Sequence, residues 1–230
     1  MEEASSKIVR KEFNGRMFYF HRTPTIEALT AEIFSDNYHI LKSGLKINHG
    51  DVILDMGANE GVFTIMMSKL FPEARIISLE PVDRTYRQLL SNLSLGNFSN
   101  VTTLRNGIGG SARTESIVVD SIYSGGSSAF MTPYPGSYVN TIKLITLEDV
   151  FDMFRIKRCK LMKIDIEGME HEALLNTSVL SKVDNIVAEI HINKRLQSDG
   201  YSVDKLSNYI QSQTNLLYYE SCYMYEIWST

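Results

Sequence analysis

The chain has 230 residues, of which 27 are acidic and 23 are basic, and its formal net charge is −4. This length suffices for one sizeable core, and we predict a single domain over residues 1–230. The charges are interspersed, which disfavours a nucleic-acid partner. Because no run of roughly 18 apolar residues and no signal-like N-terminus occurs, we expect no membrane partner and a soluble, cytoplasmic protein. The oligomeric state stays open.

The first 50 residues predict an extension that precedes the sheet. Residues 18–21 are aromatic and β-prone, and apolar residues at positions 26, 29, 33 and 34 have helical spacing. We therefore predict an N-terminal strand and helix within residues 1–50.

The most informative segment is 51–61, Asp-Val-Ile-Leu-Asp-Met-Gly-Ala-Asn-Glu-Gly, where an apolar run ends in a turn of small residues. A continuous apolar run is typical of a strand buried on both faces of a parallel sheet. Gly57 and Gly61 let the backbone turn tightly and approach a bound group. The segment predicts a strand, a ligand-binding loop and a helix.

The next strand, over residues 74–80, ends in Glu80, about 20 to 25 residues after the loop, where an acid can accept two ribose hydroxyls. The dinucleotide fingerprint Gly-x-Gly-x-x-Gly is incomplete, and Glu60 would repel a pyrophosphate. Asp55 adds a second carboxylate, which suits a cofactor with an amine and a sulfonium. S-adenosylmethionine fits this pattern better than NAD.

Strands and helices keep alternating after Glu80, which predicts a parallel α/β sheet. The predicted helices cover residues 83–95, 146–154 and 170–175, and the predicted strands cover 101–104, 160–165 and 185–191. Thr146 and Asp149 resemble a capping box that opens the second of these helices. A loop and strand insertion over about 114–145 contains two β-prone runs, 116–119 and 139–145. They bracket two stretches of loop composition, the serine- and glycine-rich 124–128 and 133–136, which we interpret as a lid. Residues 216–228 predict a hairpin that closes the sheet.

Four polar residues end two of these strands. Lys163 and Asp165 share one strand face, as do Glu189 and His191, so the four groups converge if the strands are neighbours. One interpretation is that Lys163 and Glu189 neutralise each other inside the sheet. Asp165 and His191 lie at the ligand-binding edge, where either could accept a proton.

Two further interpretations stay open for this region. Asp165, Glu189 and His191 could instead hold a divalent cation, either Mg or Mn. Glu167 lies in the turn that enters the following helix, where a carboxylate either stabilises the helix N-terminus or takes part in an active site.

Three motifs in this order resemble the FkbM family of S-adenosylmethionine-dependent methyltransferases over about residues 33–191. They are Asp-Met-Gly-Ala-Asn-Glu-Gly at 55–61, Leu-Glu-Pro at 79–81 and Lys-Ile-Asp-Ile-Glu-Gly-Met-Glu at 163–170. The resemblance implies the α/β class I methyltransferase (Rossmann-like) fold, a seven-stranded, mostly parallel sheet with helices on both faces and an antiparallel last strand.

The resemblance also implies where the cofactor binds. It places the methionine side against Asp55, Gly57, Ala58, Asn59 and Gly61, the ribose on Glu80, and the adenine near Asn106 and Gly107. It further implies O-methylation of a sugar, a glycan or a polyketide-like small molecule.

The catalytic candidates are Asp165, His191, Glu167 and Lys163, with His191 or Asp165 removing the hydroxyl proton. Two alternatives remain: an NAD-dependent oxidoreductase, which Glu60 and the missing third glycine disfavour, and a non-catalytic domain that binds a nucleotide cofactor.

Overall fold

The computed structural model describes residues 7–42, 45–175, 177–214, 217–220 and 225–229. The strands are β1 (Ile8–Phe13), β2 (Arg16–His21), β3 (Val52–Met56), β4 (Arg75–Leu79), β5 (Val101–Leu104), β6 (Gly107–Ile108), β7 (Arg113–Asp120), β8 (Ser127–Ser128), β9 (Ser137–Ile145), β10 (Leu161–Ile164), β11 (Asn185–Glu189), β12 (Leu217–Glu220) and β13 (Tyr225–Ser229). The helices are α1 (Ile26–Lys42), α2 (Val62–Leu70), α3 (Asp83–Leu93), α4 (Leu147–Met153), α5 (Glu170–Leu174), α6 (Lys194–Ser198) and α7 (Val203–Gln213), with a 3₁₀ turn at Leu180–Lys182.

The central sheet has the strand order β12-β13-β11-β10-β3-β4-β5. Strands β11, β10, β3, β4 and β5 are mutually parallel, whereas β13 is antiparallel to both β11 and β12. The predicted seven-stranded, mostly parallel sheet with an antiparallel last strand is therefore confirmed. The carboxyl ends of the parallel strands meet at one edge, which is where open α/β sheets bind ligands.

Both faces of the sheet are covered because successive residues of a strand point to opposite sides. Ile53 belongs to the core formed with α1, α2 and the β1–β2 hairpin. Its neighbour Leu54 belongs to the core formed with α4, α5 and α7. Each such fully buried side chain contributes roughly 1.5–3 kcal/mol. The continuous apolar run in β3 thus sets the two-sided architecture.

The N-terminal extension begins with a hairpin, of which the sequence analysis recognised only the second strand. Strands β1 and β2 pair antiparallel, and Asn14 and Gly15 between them have φ of 48° and 70°. An Asn-Gly pair is a strong signal for a two-residue hairpin turn with two positive φ values, so the missed strand was detectable. The backbone N–H of His21 donates to Asn92 Oδ1 (2.8 Å), which ties the hairpin to α3.

The insertion forms a second sheet with the strand order β6-β9-β7-β8. Its strands β7 and β9 confirm the two β-prone runs predicted on either side of the lid. Ile117, Val119, Ile142 and Leu144 pack on Val82 and Met169. This apolar contact holds the insertion above the carboxyl edge of the central sheet.

Local signals fixed several further boundaries. Thr146 and Asp149 form the predicted capping box of α4, with Asp149 N donating to Thr146 Oγ1 (3.0 Å) and Thr146 N donating to Asp149 Oδ2 (2.9 Å). Helix α3 ends at Leu93, two residues earlier than predicted. Helices α6 and α7 were not predicted.

Within the described part of the chain, no helix is long and apolar enough to cross a membrane.

Candidate active site

The loop after β3, residues 57–61, is called the cofactor loop after the role predicted for it. Backbone geometry requires its glycines. Gly57 has φ of 80°, and a Cβ there would lie 1.7 Å from the carbonyl oxygen of Asp165. Gly61 has φ of 86°, and its Cβ would lie 2.4 Å from Leu89 Cδ1. Only glycine combines this conformation with such close neighbours. The loop is therefore pressed against the end of β10 on one side and against α3 on the other.

A cavity, called the main cavity, opens at the carboxyl edge of the sheet, beneath the insertion. Five residues predicted to bind the cofactor line it: Gly57, Asn59, Glu80, Asn106 and Gly107. Apolar residues of both sheets complete the wall: Leu79 from the central sheet, and Ile108, Ile117, Ile142 and Leu144 from the second sheet.

Glu80 is held in a fixed orientation at the end of β4. Its Oε2 accepts the backbone N–H of Asn59 (3.0 Å) and its Oε1 accepts that of Val82 (2.9 Å). Burial raises the pKa of Glu80 to about 7, although both hydrogen bonds oppose the rise. Each carboxylate oxygen has a second lone pair, so a ligand hydroxyl in the main cavity can still donate to Glu80.

A second cavity, called the small cavity, shares Gly57, Asn59 and Asp165 with the main cavity. Ala58 and Lys163 line it as well. The two cavities therefore lie next to each other at the cofactor loop.

Two predicted cofactor residues, Asp55 and Gly61, line neither cavity. Asp55 is fully buried below the loop, where the hydroxyl of Thr64 donates to its Oδ2 (2.5 Å). Burial raises the pKa of Asp55, against the opposing charge of Lys163. In this arrangement Asp55 and Gly61 support the loop from below, and direct contact with a cofactor stays a prediction.

Glu60 is directed at the N-terminal extension. Its carboxylate accepts hydrogen bonds from the hydroxyls of Thr23 (2.7 Å) and Thr25 (2.5 Å). The hydroxyl of Thr25 also lies 3.1 Å from that of Ser124 in the insertion. Glu60 therefore joins the cofactor loop to the extension, and Thr25 continues this connection to the insertion.

Lys163 is buried between acceptors. Its Nζ donates to the carbonyl of Gly57 and to Asp165 Oδ2, both at 3.0 Å, and lies 3.8 Å from Asp55 Oδ1. Burial would lower the pKa of Lys163, but the charges of Asp165 and Asp55 outweigh it and raise the pKa. The carboxylates within ion-pair distance of Lys163 are Asp165 and Asp55, rather than Glu189 as one interpretation had it; the charge of Glu189 acts on Lys163 more weakly than theirs.

The predicted convergence of polar groups from β10 and β11 is confirmed, and the candidate Glu167 lies among them. Glu167 and Asp165 both line the main cavity. Glu167 occupies the left-handed region, with φ of 56°. Burial raises the pKa of Glu167 to about 8, while the nearby His191 lowers it in part.

His191 is surrounded by carboxylates. Its Nδ1 lies 3.1 Å from Glu170 Oε1, and its Nε2 lies 3.2 Å from Glu189 Oε1 and 3.6 Å from Glu167 Oε2. Burial alone would lower the pKa of His191, but the hydrogen bonds to Glu170 and Glu189 outweigh it and raise the pKa to about 11. In this arrangement His191 carries its proton at neutral pH and does not line the main cavity, so the geometry disfavours it as the general base.

The possible metal ligands in the structure differ by one residue from the set that the sequence suggested. Asp165, Glu167 and His191 each offer a ligand atom within 4.8 Å of the others. Glu189, which the sequence analysis included, contacts His191 instead. Five neighbouring residues form what we call the acidic cluster: Asp165, Glu167, Glu170, Glu189 and His191.

Glu170 is a site residue that the sequence analysis quoted without assigning a role. It is wholly buried, and its Oε1 accepts the backbone N–H groups of Ile166 (3.0 Å) and Gly168 (3.2 Å) as well as facing His191. The spacing of acids in the 163–170 motif was the available signal. Glu170 shapes the turn that presents Glu167 to the main cavity.

The serine-rich stretch forms the roof of the main cavity, as expected for a lid over a ligand site. Ser124, Ser127 and Ser128 line the cavity. The hydroxyl of Ser128 donates to the carbonyl oxygen of Glu167 (2.6 Å). The roof is thus anchored directly to the acidic cluster.

Comparison with known proteins agrees with this geometry. A family model described as the methyltransferase FkbM domain matches residues 55–217. Methyltransferase 1 of Beauveria bassiana is 26% identical over 210 residues, covering 77% of this chain and 82% of that protein. The hexuronic acid methyltransferase AglP of Haloferax volcanii is 29% identical over 142 residues, covering 61% of this chain and 56% of that protein.

The fold is also found among solved structures. Fibrillarin of Aeropyrum pernix, crystallised with natively bound S-adenosyl-L-methionine, superposes with a TM-score of 0.51 at 12% identity, covering 100% of this chain and 85% of that chain. At this identity the likeness concerns the fold, which is that of the class I S-adenosylmethionine-dependent methyltransferases. With more than half of its length matched by the family model, the chain belongs to the FkbM methyltransferase family.

Proposed function

We propose that the protein is an S-adenosylmethionine-dependent O-methyltransferase whose acceptor is a hydroxyl of a sugar, a glycan or a polyketide-like small molecule. The observation that carries this proposal is the main cavity, in which the predicted ribose and adenine residues lie beside the acidic cluster. The sugar-directed name of the relative AglP supports a carbohydrate acceptor.

The main cavity and the small cavity together suggest how the cofactor would bind. The ribose hydroxyls would donate to Glu80, and the adenine would lie beside Asn106 and Gly107 in the main cavity. The methionine part would then extend past the cofactor loop into the small cavity. The sulfonium would then lie near the residues that line both cavities, next to Asp165.

The reaction needs little beyond positioning, because the methyl group is already activated. The acceptor oxygen attacks the methyl carbon in line with the sulfur; a C–O bond forms as the S–C bond breaks, and its electron pair remains on sulfur. Asp165 lines both cavities, and its carboxylate accepts the proton of the acceptor hydroxyl. Lys163 holds the Asp165 carboxylate in place.

A divalent cation is a second candidate for activating the hydroxyl, and the grouping of Asp165, Glu167 and His191 favours it. Carboxylate oxygens with one imidazole suit Mg or Mn, and a bound cation lowers the pKa of a coordinated hydroxyl. Incubation with EDTA should then abolish turnover, and added Mg²⁺ or Mn²⁺ should restore it. Turnover that is indifferent to EDTA would exclude this route.

The test of the proposal is titration calorimetry of the purified protein with S-adenosylhomocysteine, run beside NAD. We expect micromolar binding of S-adenosylhomocysteine and none of NAD. Methyl transfer is then measured with S-adenosylmethionine labelled on the methyl group and a panel of hydroxylated sugars. Preference for NAD would indicate an oxidoreductase, and cofactor binding without turnover on any acceptor would indicate a non-catalytic binding domain.

A further inference from the structure

We propose that Thr25, in the N-terminal extension, is a positioning residue that holds the serine-rich roof, residues 124–128, over the main cavity. It does so through a chain of hydrogen bonds from Ser124 through Thr25 to Glu60, which we call the latch. The latch limits how fast a ligand leaves the main cavity. This consequence for release rests on the proposed function, whereas the latch itself is testable without a ligand.

The direction of the hydrogen bonds at Glu60 is the first observation. Its two carboxylate oxygens accept the hydroxyl protons of Thr23 (2.7 Å) and Thr25 (2.5 Å). A hydroxyl has a single proton to donate, and its oxygen can still accept. Because the proton of Thr25 goes to Glu60, the contact of 3.1 Å between the hydroxyls of Thr25 and Ser124 requires Ser124 to donate. The roof is therefore the donor end of the latch.

The other end of the latch is fixed inside the protein. Glu60 is 4% exposed and Thr25 is 5% exposed. The carbonyl oxygen of Glu60 accepts a hydrogen bond from the side-chain amide of Asn92 on α3 (2.8 Å). Hydrogen bonds that end on a charged group away from water are stronger than neutral ones at the surface. Glu60 is thus a firm anchor, and Thr25 carries its hold to the roof.

The roof is also held on both sides of the latch. The hydroxyl of Ser128 donates to the carbonyl oxygen of Glu167 (2.6 Å). Ahead of the roof, Asp120 Oδ1 accepts two backbone N–H groups of its own turn, both at 2.7 Å. The glycines at 125–126 lie between these anchors, and glycine backbones rotate more freely than others. The bond from Ser124 to Thr25 therefore ties this pliable stretch to the N-terminal extension.

Ser124 belongs to the wall of the main cavity, so the state of the latch decides whether that wall is closed. When the bond to Thr25 breaks, the pliable stretch can lift and expose a ligand beneath it. Opening of such a cover limits ligand release in many enzymes. A weaker latch should therefore raise the dissociation rate of a ligand by the factor by which it raises opening of the roof.

The first experiment measures opening without a ligand. Tyr123 is 59% exposed and precedes Ser124, so chymotrypsin can cut the bond between them when the roof lifts. We expect Thr25→Val, which removes the hydroxyl and keeps the size, to speed this cut about five- to tenfold, as the loss of one hydrogen bond would. Ser124→Ala should have the same effect, after correction for cutting of the matching peptides. Thr25→Ser should restore the wild-type rate.

Thr23→Val is the matched control. Thr23 donates to the same carboxylate and also accepts the backbone N–H of Ile26 (3.0 Å) at the start of α1. Its loss therefore disturbs Glu60 and the extension at least as much as Thr25→Val does, but leaves the bond to Ser124 in place. We expect a cutting rate within a factor of about three of wild type. Equal acceleration in both valine variants, or none in Thr25→Val, would overturn the latch.

The second experiment measures release of S-adenosylhomocysteine by surface plasmon resonance. Thr25→Val should raise its dissociation rate about five- to tenfold, and Thr25→Ser should not. Unchanged dissociation in a variant that chymotrypsin cuts faster would overturn the control of release. If the wild-type protein bound no S-adenosylhomocysteine, the proposed function would fail, and the cutting rates would still decide whether the latch exists. Thermal unfolding curves check that each variant is folded.

Discussion

The position of Asp165 allows its proposed catalytic role to be tested separately from cofactor binding. It lines both cavities, and its carboxylate is oriented by Lys163 at 3.0 Å. If it accepts the hydroxyl proton, Asp165→Asn should lower kcat by about 10²- to 10⁴-fold. The affinity for S-adenosylhomocysteine, measured by calorimetry, should change little.

The control for this variant lies at the other end of the same pair of strands. Asp184 precedes β11 and pairs with Lys160 (3.2 Å), far from the carboxyl edge. Asp184→Asn should keep full turnover. If Asp165→Asn retained turnover within a factor of about three, proton transfer to this carboxylate would be excluded.

Glu80 predicts a pH dependence of folding stability. Its pKa rises from 4.5 to about 7 in the folded protein, so between these values the folded state keeps a proton that the unfolded state has lost. The contribution is present below pH 4.5 and is lost as pH rises through 7, at a cost of up to about 3 kcal/mol.

Urea unfolding of wild type and Glu80→Gln at pH 5 and pH 8 measures this contribution. We expect the stability of wild type relative to the variant to fall between the two pH values. A constant difference would contradict the raised pKa of Glu80.

At the scale of elements, the cofactor loop depends on contact with the end of β10. Gly57→Ala would place a Cβ 1.7 Å from the Asp165 carbonyl oxygen, so we expect severe destabilisation and loss of cofactor binding. Gly50→Ala is the matched control, because Gly50 has φ of 79° and nothing within 4 Å of its Cβ position. It should cost only about 1–2 kcal/mol, the penalty of the left-handed backbone. Similar losses of free energy of unfolding would show that the close approach does not exist.

The elements near the site were largely predictable because their signals are local. The buried run of β3, the capping box at Thr146 and Asp149, and the alternation of strands and helices each depend on neighbouring residues. The hairpin turn between β1 and β2 could have been found by the same means. The partners of charged groups could not be predicted in this way. Lys163 pairs with Asp55 and Asp165 rather than with Glu189 because of strand order and side-chain reach, which emerge only in the folded chain.

The same limit applies to the role of His191. Its position beside carboxylates followed from strand pairing, but its protonation depends on Glu170, which the turn after β10 brings within 3.1 Å. A residue pattern gives the distance along the chain, whereas a pKa depends on every charge around the group. Catalytic roles were therefore less predictable than the placement of the residues.

For the whole molecule, the charge of the site restricts the acceptor. The chain is acidic overall, with a net charge of −4, and the described residues that line the main cavity include Glu80, Asp165 and Glu167 but no Lys or Arg. Because the pKa of Glu80 is raised to about 7 and that of Glu167 to about 8, these carboxyl groups become charged as the pH rises through this range. An anionic acceptor would then meet like charges within a few ångströms, which costs on the order of 1–4 kcal/mol. We therefore expect an uncharged acceptor, although the relative AglP is named for a hexuronic acid.

A matched pair of acceptors tests this expectation. The kcat/KM for a neutral hexoside should exceed that for the corresponding hexuronate by about tenfold or more, and the difference should shrink at high salt, where charges are screened. A preference for the hexuronate would contradict the charge argument.

In the proposed reaction, the carboxylates that line the main cavity also influence the release of S-adenosylhomocysteine. Methyl transfer removes the positive charge from sulfur, so the product loses an attraction to Asp165 and its neighbours that the substrate had. The same side chains that draw the methyl donor in thus release the thioether. We expect weak product inhibition, with S-adenosylhomocysteine competing less strongly at low ionic strength than at high, so that the enzyme continues to turn over as its by-product accumulates.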